Sequence, residues 1–457
     1  MEVHPSFLSK IWKFASHFLS FYGSLYIFAT EKQIIMETQA LLGILSDQRE
    51  EFKTRDTAGF CLREEENLLS INSKLAQVVI GVRRCGKSTL CEQFIRHHKI
   101  ACAYVNFDDE RLAFMKTEDL NRLIEAIYVL YGDVHTFFFD EIQNIAAWPL
   151  FINRLLREQK HIFLTGSNAK LLSNELMTHL TGRHNKVELY PFSFKEYCQM
   201  KRVDLESLST KAKAARKAAL HCYLTEGGFP ELINETNKKG YMNGLLDAII
   251  KKDIAQRFKI RHIDTLHRMA GYLADNFAQE FTAKNIGKLF EISNHTAENY
   301  YSYLKEAFLL VGIPKFSYKA KERIRGEKVY VIDPAFVSER SGTFSLANLG
   351  WRLENAVCIE LLRRSHPLYY EVFYYKQSNW EVDFVIADRG QVTQLIQVSY
   401  DISNPKTKER EIRGLFNAAK MFHCSNLLLL TYENHLDITQ DGISIVVKDV
   451  SEWLCEK

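Results

Sequence analysis

Residues 81–88 constrain the fold more than any other part of this chain. They read GVRRCGKS and match the pattern G-x-x-x-x-G-K-S at every fixed position. The apolar run 75–80 comes directly before them, and apolar residues at helical spacing follow at 90–95. A loop between a buried strand and a helix can point several backbone N–H groups at one anion. The pattern therefore predicts an α/β fold whose first strand leads into a phosphate-binding loop.

The fixed positions of this loop have separate physical tasks. Gly81 and Gly86 allow the positive φ and close backbone approach that curling around a phosphate requires. Lys87 is expected to reach the β and γ phosphates of ATP, and the Ser88 hydroxyl to complete the coordination of Mg2+. Thr89 is expected by analogy at the α phosphate. A glycine-rich turn without a ligand is the alternative, and the predicted strand and helix on either side argue against it.

A second predicted strand supplies two carboxylates. Residues 136–139 read TFFF, which is typical of a buried strand, and Asp140 and Glu141 follow at its C-terminal end. Ligands of open α/β sheets collect at this end of the strands. We expect Asp140 to contact Mg2+ and Glu141 to act as the general base on the attacking water. Taken alone, the pair could equally be a solvated strand end.

A third predicted strand, 161–165, adds polar and cationic candidates. Ser167 or Asn168 is expected to sense the γ phosphate or the attacking water, and the alternative is an N-cap of the next helix. Arg183 is the first candidate to stabilise the transition state, in cis or from a neighbouring subunit, with Arg84 second. The alternative for Arg183 is an ordinary surface ion pair.

These motifs together resemble a prokaryotic family of AAA-type ATPases that carry a C-terminal domain of unknown function with a restriction-endonuclease-like core. The resemblance extends from about residue 36 to the end of the chain. It implies a P-loop NTPase fold, with a five-stranded parallel sheet followed by a helical lid, and no agreed biological role. The matching stretches are 81–88, 105–110, 139–144 with Trp148, 164–168, 182–183 and 191–197.

Length and composition agree with several globular domains. At 457 residues the chain is long enough for roughly two to four domains. Its 46% hydrophobic and 25% charged residues exclude a collagen-like, wholly disordered or multi-span membrane protein. A net charge of +3 gives no general argument for nucleic-acid binding. The nine cysteines contain no C-x-x-C pair, so we expect reduced thiols in a cytoplasmic protein and no zinc site.

The first 35 residues are unlike the rest. They are rich in aromatic and aliphatic residues, but Lys10, Lys13 and His17 interrupt the apolar run. A weak signal or membrane anchor, an amphipathic surface segment, and sequence upstream of a true start at Met36 are all open. We favour the start at Met36 and expect no membrane contact.

The remaining boundaries follow from pattern and resemblance. We expect an ATPase core at 36–190, a helical lid at 191–261, a winged helix-turn-helix at 262–340 and an α+β restriction-endonuclease-like domain at 341–457. The basic residues Lys211, Lys213, Arg216 and Lys217 of the lid are interpreted as a solvated helix face, with phosphate contact as the alternative. In the winged helix, 282–290 and 294–310 are the predicted helices.

DNA is a predicted partner through the wing of that domain. Its second helix is poor in positive charge, whereas the wing is basic, so phosphate contact would come from the wing. Packing between domains is the alternative use of the winged helix. The basic residues of the wing are Lys315, Lys319, Lys321, Arg323, Arg325 and Lys328.

The last domain is expected to have lost its chemistry. The resemblance implies that a working site binds Mg2+ through Glu354, Asp383 and an acid on the third strand, with a lysine two residues further on. Gln397 and Ser399 stand at the last two positions. Lys376, on the preceding strand, is the residue that could replace the lysine. We therefore expect a degenerate domain that binds without cleaving.

The sequence as a whole predicts an enzyme that hydrolyses ATP with Mg2+ and couples its nucleotide state to the C-terminal domains. A nucleotide-gated DNA-binding or signalling switch with little turnover is the first alternative, and an ATP-regulated DNA nuclease is the second. An unidentified protein partner and a homo-oligomer both remain open.

Overall fold

The computed structural model describes most of the chain from Met36 onward. The predictions for residues 1–35 and for Asn168 fall outside the described residues. The described residues are 36–57, 59–167, 180, 182–319, 323, 326–338, 349–433, 436–440 and 442–456.

The first domain is built on a five-stranded sheet in which every pair of neighbours is parallel. Its strands lie in the order β2-β3-β4-β1-β5. This is the P-loop NTPase fold expected from the sequence, with strands at the expected places. The strands are β1 (Ala76–Gly81), β2 (Cys102–Asn106), β3 (Thr136–Asp140), β4 (His161–Ser167) and β5 (His184–Glu188).

Burial explains why these apolar runs form strands. Every residue of β1 and of β3 is buried, as is usual for the inner strands of a parallel sheet. Phe139 packs against Phe107 and Phe151. The helices of this domain are α1 (Thr38–Thr54), α2 (Lys87–His97), α3 (Leu120–Tyr131) and α4 (Trp148–Arg157).

A helical segment follows the sheet. The solvated helix face predicted at 211–217 is wrong for Arg216, which is 5% exposed. The guanidinium of Arg216 donates to the carbonyls of Leu205 and Ser207 and so holds the preceding loop. The helices are α5 (Phe194–Met200), α6 (Thr210–Glu226), α7 (Lys238–Ala248), a π-helix (Ile249–Ala255) and α8 (Gln256–Phe258).

The middle of the chain contains a helix–turn–helix beside a small antiparallel sheet in the order β6-β8-β7. The second helix ends at Glu306 and not at 310, because Leu310 begins a strand. A role as a DNA-binding winged helix stays a prediction. The elements are α9 (Ile263–Asp275), β6 (Gln279–Glu280), α10 (Ala283–Phe290), α11 (Asn294–Glu306), β7 (Leu310–Pro314), β8 (Glu327–Val331) and α12 (Ala335–Ser338).

The last part of the chain forms a six-stranded mixed sheet in the order β13-β14-β12-β11-β10-β9. Its elements begin in the order αβββαβ, as expected, while its kinship with restriction endonucleases stays a prediction. The elements are α13 (Leu349–Leu368), β9 (Glu371–Lys376), β10 (Glu381–Asp388), β11 (Gln391–Ser399), α14 (Pro405–Phe422), β12 (Leu427–Thr431), β13 (Ile438–Gln440), β14 (Ile443–Asp449) and α15 (Val450–Trp453).

Two general features bear on the environment of the protein. All nine cysteines are free thiols. Among the helices that the structure describes, none combines the length and the apolar character needed to span a bilayer.

Candidate functional site

The phosphate-binding loop lies between β1 and α2, as predicted. β1 ends at Gly81, and a Cβ at this position would lie 2.1 Å from the carbonyl oxygen of Leu189. Gly86 caps α2 with a φ of 99°, in the region that favours glycine. The loop therefore needs glycine at Gly81 because of a close backbone approach and at Gly86 because of its backbone conformation.

The two polar side chains after Gly86 occupy the first turn of α2. Lys87 is 6% exposed, and its Nζ donates to the carbonyl oxygens of Gly81 and Val82 at 3.2 and 3.0 Å. The hydroxyl of Ser88 donates to Oδ1 of Asp140 at 2.9 Å. The N-terminus of a helix favours anions through its free amides and its dipole. Cation, hydroxyl and carboxylate thus converge at one end of the sheet.

Asp140 and Glu141 lie at the end of β3, beside this turn. Burial raises the pKa of Asp140, and hydrogen bonds from Thr165 and Ser88 oppose this shift. Burial also raises the pKa of Glu141, and the charge of Lys87 opposes it. Glu141 has a φ of 55° and accepts a hydrogen bond from Gln143. The raised pKa makes Glu141, which lies beside the phosphate-binding loop, a better proton acceptor than an ordinary glutamate.

The end of β4 contributes a residue that the sequence argument missed. The hydroxyl of Thr165 donates to Oδ1 of Asp140, and Tyr104 donates to the other oxygen at 3.5 Å. Thr165 is the last residue of the predicted third strand, so its position at the strand end could have singled it out. The backbone of Ser167 aligns with that of Gly81 in the sheet, which places it beside the loop.

Of the two candidate arginines, Arg84 lines the cavity over the loop and Arg183 lies away from it. Arg83 forms a bidentate ion pair with Asp253 of the π-helix, with both hydrogen bonds at 3.1 Å. The guanidinium of Arg84 lies 2.7 Å from the carboxylate of Glu231. Arg183 directly precedes β5, and its carbonyl accepts a hydrogen bond from the amide of Ala76, the first residue of β1. Gly81 is the last residue of β1, so Arg183 lies at the opposite end of the strands from Gly81. A role for Arg183 in cis is therefore wrong, because five residues of strand, roughly 16 Å, separate it from its own loop.

A cavity of about 730 Å3 opens over the loop. It extends from the loop to the segment before β1 on one side and to the helical segment on the other. This volume is in the range of pockets that take cofactors. Its lining includes Arg55, Phe60, Arg84, Lys87, Ser88, Thr89, Gln93, Glu141, Phe192, Met200 and Pro230.

Residues 73–198, which contain this site, match an AAA domain. An uncharacterised protein of Methanocaldococcus jannaschii is 37% identical over 394 residues, which cover 82% of this chain and 87% of the relative. This chain belongs to the family of AAA-domain proteins. An uncharacterised protein of Haemophilus influenzae is 31% identical over 396 residues and is covered to 94%.

The rest of this AAA-domain protein matches two families without a described function. Residues 217–346 match the domain of unknown function DUF8612, and residues 349–448 match DUF4143. Among solved structures, AMPPCP-bound DnaA from Aquifex aeolicus is similar over 56% of this chain and 85% of that chain at 14% identity. The TM-score of this similarity is 0.27.

A second cluster of charged residues lies far along the chain of this AAA-domain protein. Lys328, which the sequence assigned to a basic wing, is 4% exposed and lies 2.7 Å from Glu354, 2.7 Å from Glu381 and 3.5 Å from Asp383. Burial alone would lower its pKa, but the charges of Glu354, Asp383 and Glu381 raise it well above its usual value. The assignment of Lys328 to a DNA-contacting wing is therefore wrong.

The other predicted residues of that region lie around this cluster. Gln397 accepts a hydrogen bond from the amide of Asp383 at 3.2 Å and donates to Glu411 at 2.7 Å, while Ser399 donates to the carbonyl of Asp401. Lys376 is half-exposed, 3.8 Å from Glu381. The ammonium at this site comes from β8 of the preceding domain, and nothing in the local sequence indicated it.

Proposed function

We propose that this AAA-domain protein binds ATP with Mg2+ at residues 81–89 and hydrolyses it. The observation that carries the proposal is the convergence of Lys87, Ser88, Asp140 and Glu141 at one end of the parallel sheet. Each of these side chains is of the type that phosphoryl transfer needs, and they come from the ends of two neighbouring elements.

The loop fits the phosphates of a nucleotide. Gly81 and Gly86 leave space for a tightly curled backbone, and Lys87 is held by carbonyls of the same loop within reach of a bound phosphate. Thr89 lines the adjoining cavity, where it would meet the α phosphate. The apolar part of the cavity, with Phe60 and Met200, would take the base and sugar.

Hard oxygen ligands suit Mg2+, and Ser88 and Asp140 supply a hydroxyl and a carboxylate within 2.9 Å of each other. When bound, Mg2+ neutralises charge on the phosphate oxygens. Glu141 would take a proton from the attacking water. Ser167 and Asn168 would sense the γ phosphate, and Arg183 could act only on the loop of a neighbouring subunit in a homo-oligomer.

Nucleotide binding by Lys87→Ala tests the assignment of the loop. We expect wild-type protein to bind ATP with Mg2+ in isothermal titration calorimetry, and Lys87→Ala to lose at least about 100-fold in affinity, since a charge-assisted contact to the phosphates is removed. Lys74→Ala, an exposed lysine before β1, is the matched control and should bind like wild type. Wild-type affinity in Lys87→Ala would falsify the proposal.

The rate of ATP hydrolysis distinguishes an ATPase from a nucleotide-gated switch with little turnover. We propose that turnover is measurable without a partner and that nucleotide state changes what the C-terminal domains contact. A rate that rises on addition of duplex DNA would favour a nucleic-acid partner, through the basic wing, in which Lys319 is exposed. Turnover that is absent with and without DNA would favour the switch.

We propose that the last domain is a binding domain that does not cleave DNA. Lys328 already pairs with Glu354 and Glu381, and Gln397 stands where the resemblance implies a carboxylate. Incubation of single- and double-stranded DNA with Mg2+ and ATP should leave both intact. Magnesium-dependent cleavage that disappears in Asp383→Asn would overturn this proposal.

A further inference from the structure

A chain of buried ion pairs connects the phosphate-binding loop to helix α13 of the last domain. We infer that Arg63 is a positioning residue for the loop and that Arg363 makes its position depend on the C-terminal domain. The inference rests on the proposed function, because it concerns the nucleotide affinity of the same site.

Arg63 is the member of the chain that touches the loop. Its guanidinium donates to the carbonyl of Cys85 at 3.2 Å, to the carbonyl of Tyr190 at 2.7 Å and to Glu196 at 2.7 Å. The side chain of Arg63 is only 4% exposed. A buried fork with three acceptors leaves the guanidinium little freedom to turn.

The contact to Cys85 matters because of the geometry of one peptide group. The carbonyl of Cys85 and the N–H of Gly86 belong to the same planar unit and point in opposite directions. A guanidinium that fixes the carbonyl on one side therefore fixes the N–H on the other. Under the proposed function the N–H of Gly86 is one of the loop amides that would meet a phosphate, so Arg63, which also lines the cavity, would hold an atom of the site in place through the carbonyl of Cys85.

Arg363 extends the chain to α13. It donates to Glu65 at 2.9 Å and to the carbonyl of Pro191 at 2.8 Å, and it lies 3.2 Å from Glu360 on its own helix. Glu65 in turn lies 3.6 Å from Arg63. Glu65 is thus shared between an arginine at the loop and an arginine of the last domain.

The network is sensitive because it is buried and has no cation to spare for its carboxylates. Arg63 and Arg363 face Glu65, Glu196 and Glu360, and all five side chains are less than 10% exposed. One oxygen of Glu65 has no hydrogen-bond donor among the described residues. Loss of one cation would leave a buried carboxylate without compensation, so its neighbours would have to move.

Helix α13 carries the second charged cluster as well. Glu354, which contacts Lys328, precedes Arg363 by nine residues, or roughly 14 Å of helix at 1.5 Å per residue. A displacement of α13 at the Lys328 cluster would therefore also move Arg363, and with it Glu65 and Arg63. The helix is a direct physical connection between the last domain and the loop.

Substitution of Arg363 tests the inference, with Arg364 as the matched control. Arg364 is the next residue, and among the described residues it donates to Glu360 and to the carbonyls of Trp453 and Glu456, and not to Glu65 or Pro191. We expect Arg363→Met to weaken ATP binding about tenfold in calorimetry, Arg363→Lys to weaken it about threefold, and Arg364→Lys, which keeps the cation beside Glu360, to leave it unchanged. Glu65→Gln, which keeps the shape of the side chain, should behave like Arg363→Met.

A second readout separates positioning from general stability. Since coupling is reciprocal, a non-hydrolysable ATP analogue should slow hydrogen exchange of the amides of α13 in wild type and in Arg364→Lys. The slowing should disappear in Arg363→Met. If Arg363→Met does not fold, the same loss should be seen in Glu65→Gln and Arg363→Lys. Folded variants of Arg363 and Glu65 with wild-type affinity and wild-type exchange would overturn the inference. Wild-type protein that binds no nucleotide would instead overturn the proposed function.

Discussion

Two clusters in this protein place a buried lysine beside carboxylates, and they use it in opposite ways. At the phosphate-binding loop, Lys87 is held by backbone carbonyls, and hydroxyl groups surround Asp140. In the last domain, Lys328 is paired directly with Glu354 and Glu381. The lysine of the first cluster contacts backbone carbonyls, whereas the lysine of the second is paired with carboxylates. Similar residue types therefore predict chemistry only when their partners are known.

The largest expected effect concerns the second cluster. Lys328→Met should lower the free energy of unfolding by about 3–5 kcal/mol, because it leaves buried carboxylates without a counter-charge. Lys376→Met, at the half-exposed edge of the same pocket, should cost less than about 1 kcal/mol. Chemical denaturation of both variants measures the difference. Equal stability of the two variants would show that Lys328 does not neutralise the cluster.

The next effect concerns the hydroxyl groups of the first cluster. Thr165→Val removes a donor to Asp140 and should lower ATP turnover about tenfold, as expected for the loss of a hydrogen bond to a charged group. Thr225→Val is the control, since its hydroxyl contacts only carbonyls of its own helix. Steady-state phosphate release compares them. Equal rates would mean that Asp140 does not depend on Thr165.

The acid side of the pH–rate profile tests Glu141. Burial raises the pKa of this carboxyl, so the base should become protonated, and turnover should fall, at a higher pH than for an ordinary glutamate near about 4.3. Below that pKa the rate should drop about tenfold per pH unit. Measurement of kcat from pH 4 to 8 gives the profile. An acid limb that persists in Glu141→Gln would assign the titration to another group.

The smallest effect is expected at the surface of the loop. Arg84 and Glu231 are each about half exposed, so Arg84→Ala should change the free energy of unfolding by less than about 1 kcal/mol. Arg83→Ala should cost more, because Asp253 is 4% exposed and would lose its partner. Thermal denaturation of both variants shows which of them loses more stability. The reverse order would contradict the view that burial decides the contribution of these pairs.

Individual strands and the residues of the loop could be predicted from the sequence because that information is local, whereas the five-stranded parallel sheet was implied by the family resemblance. Strand, loop and helix follow one another at 75–95, and Asp140 follows its own strand directly. Arg63 and Lys328 could not be found in this way, because their partners are distant in sequence: Glu196 is 133 residues from Arg63, and Glu381 is 53 from Lys328. The position of Arg183 was predicted wrongly because its place in the sequence, after the third strand, does not show whether it lies at the beginning or at the end of the neighbouring strands.

The most direct test of the account compares Glu141→Gln with wild type in two assays on the same preparation. The account predicts that the variant binds ATP with about wild-type affinity in calorimetry and releases phosphate about 10^2 to 10^4 times more slowly, because only the general base is removed. Glu158→Gln, an exposed glutamate at the end of α4, should match wild type in both assays. Phosphate release at the wild-type rate by Glu141→Gln would contradict the central claim that this carboxylate, beside the loop, activates water.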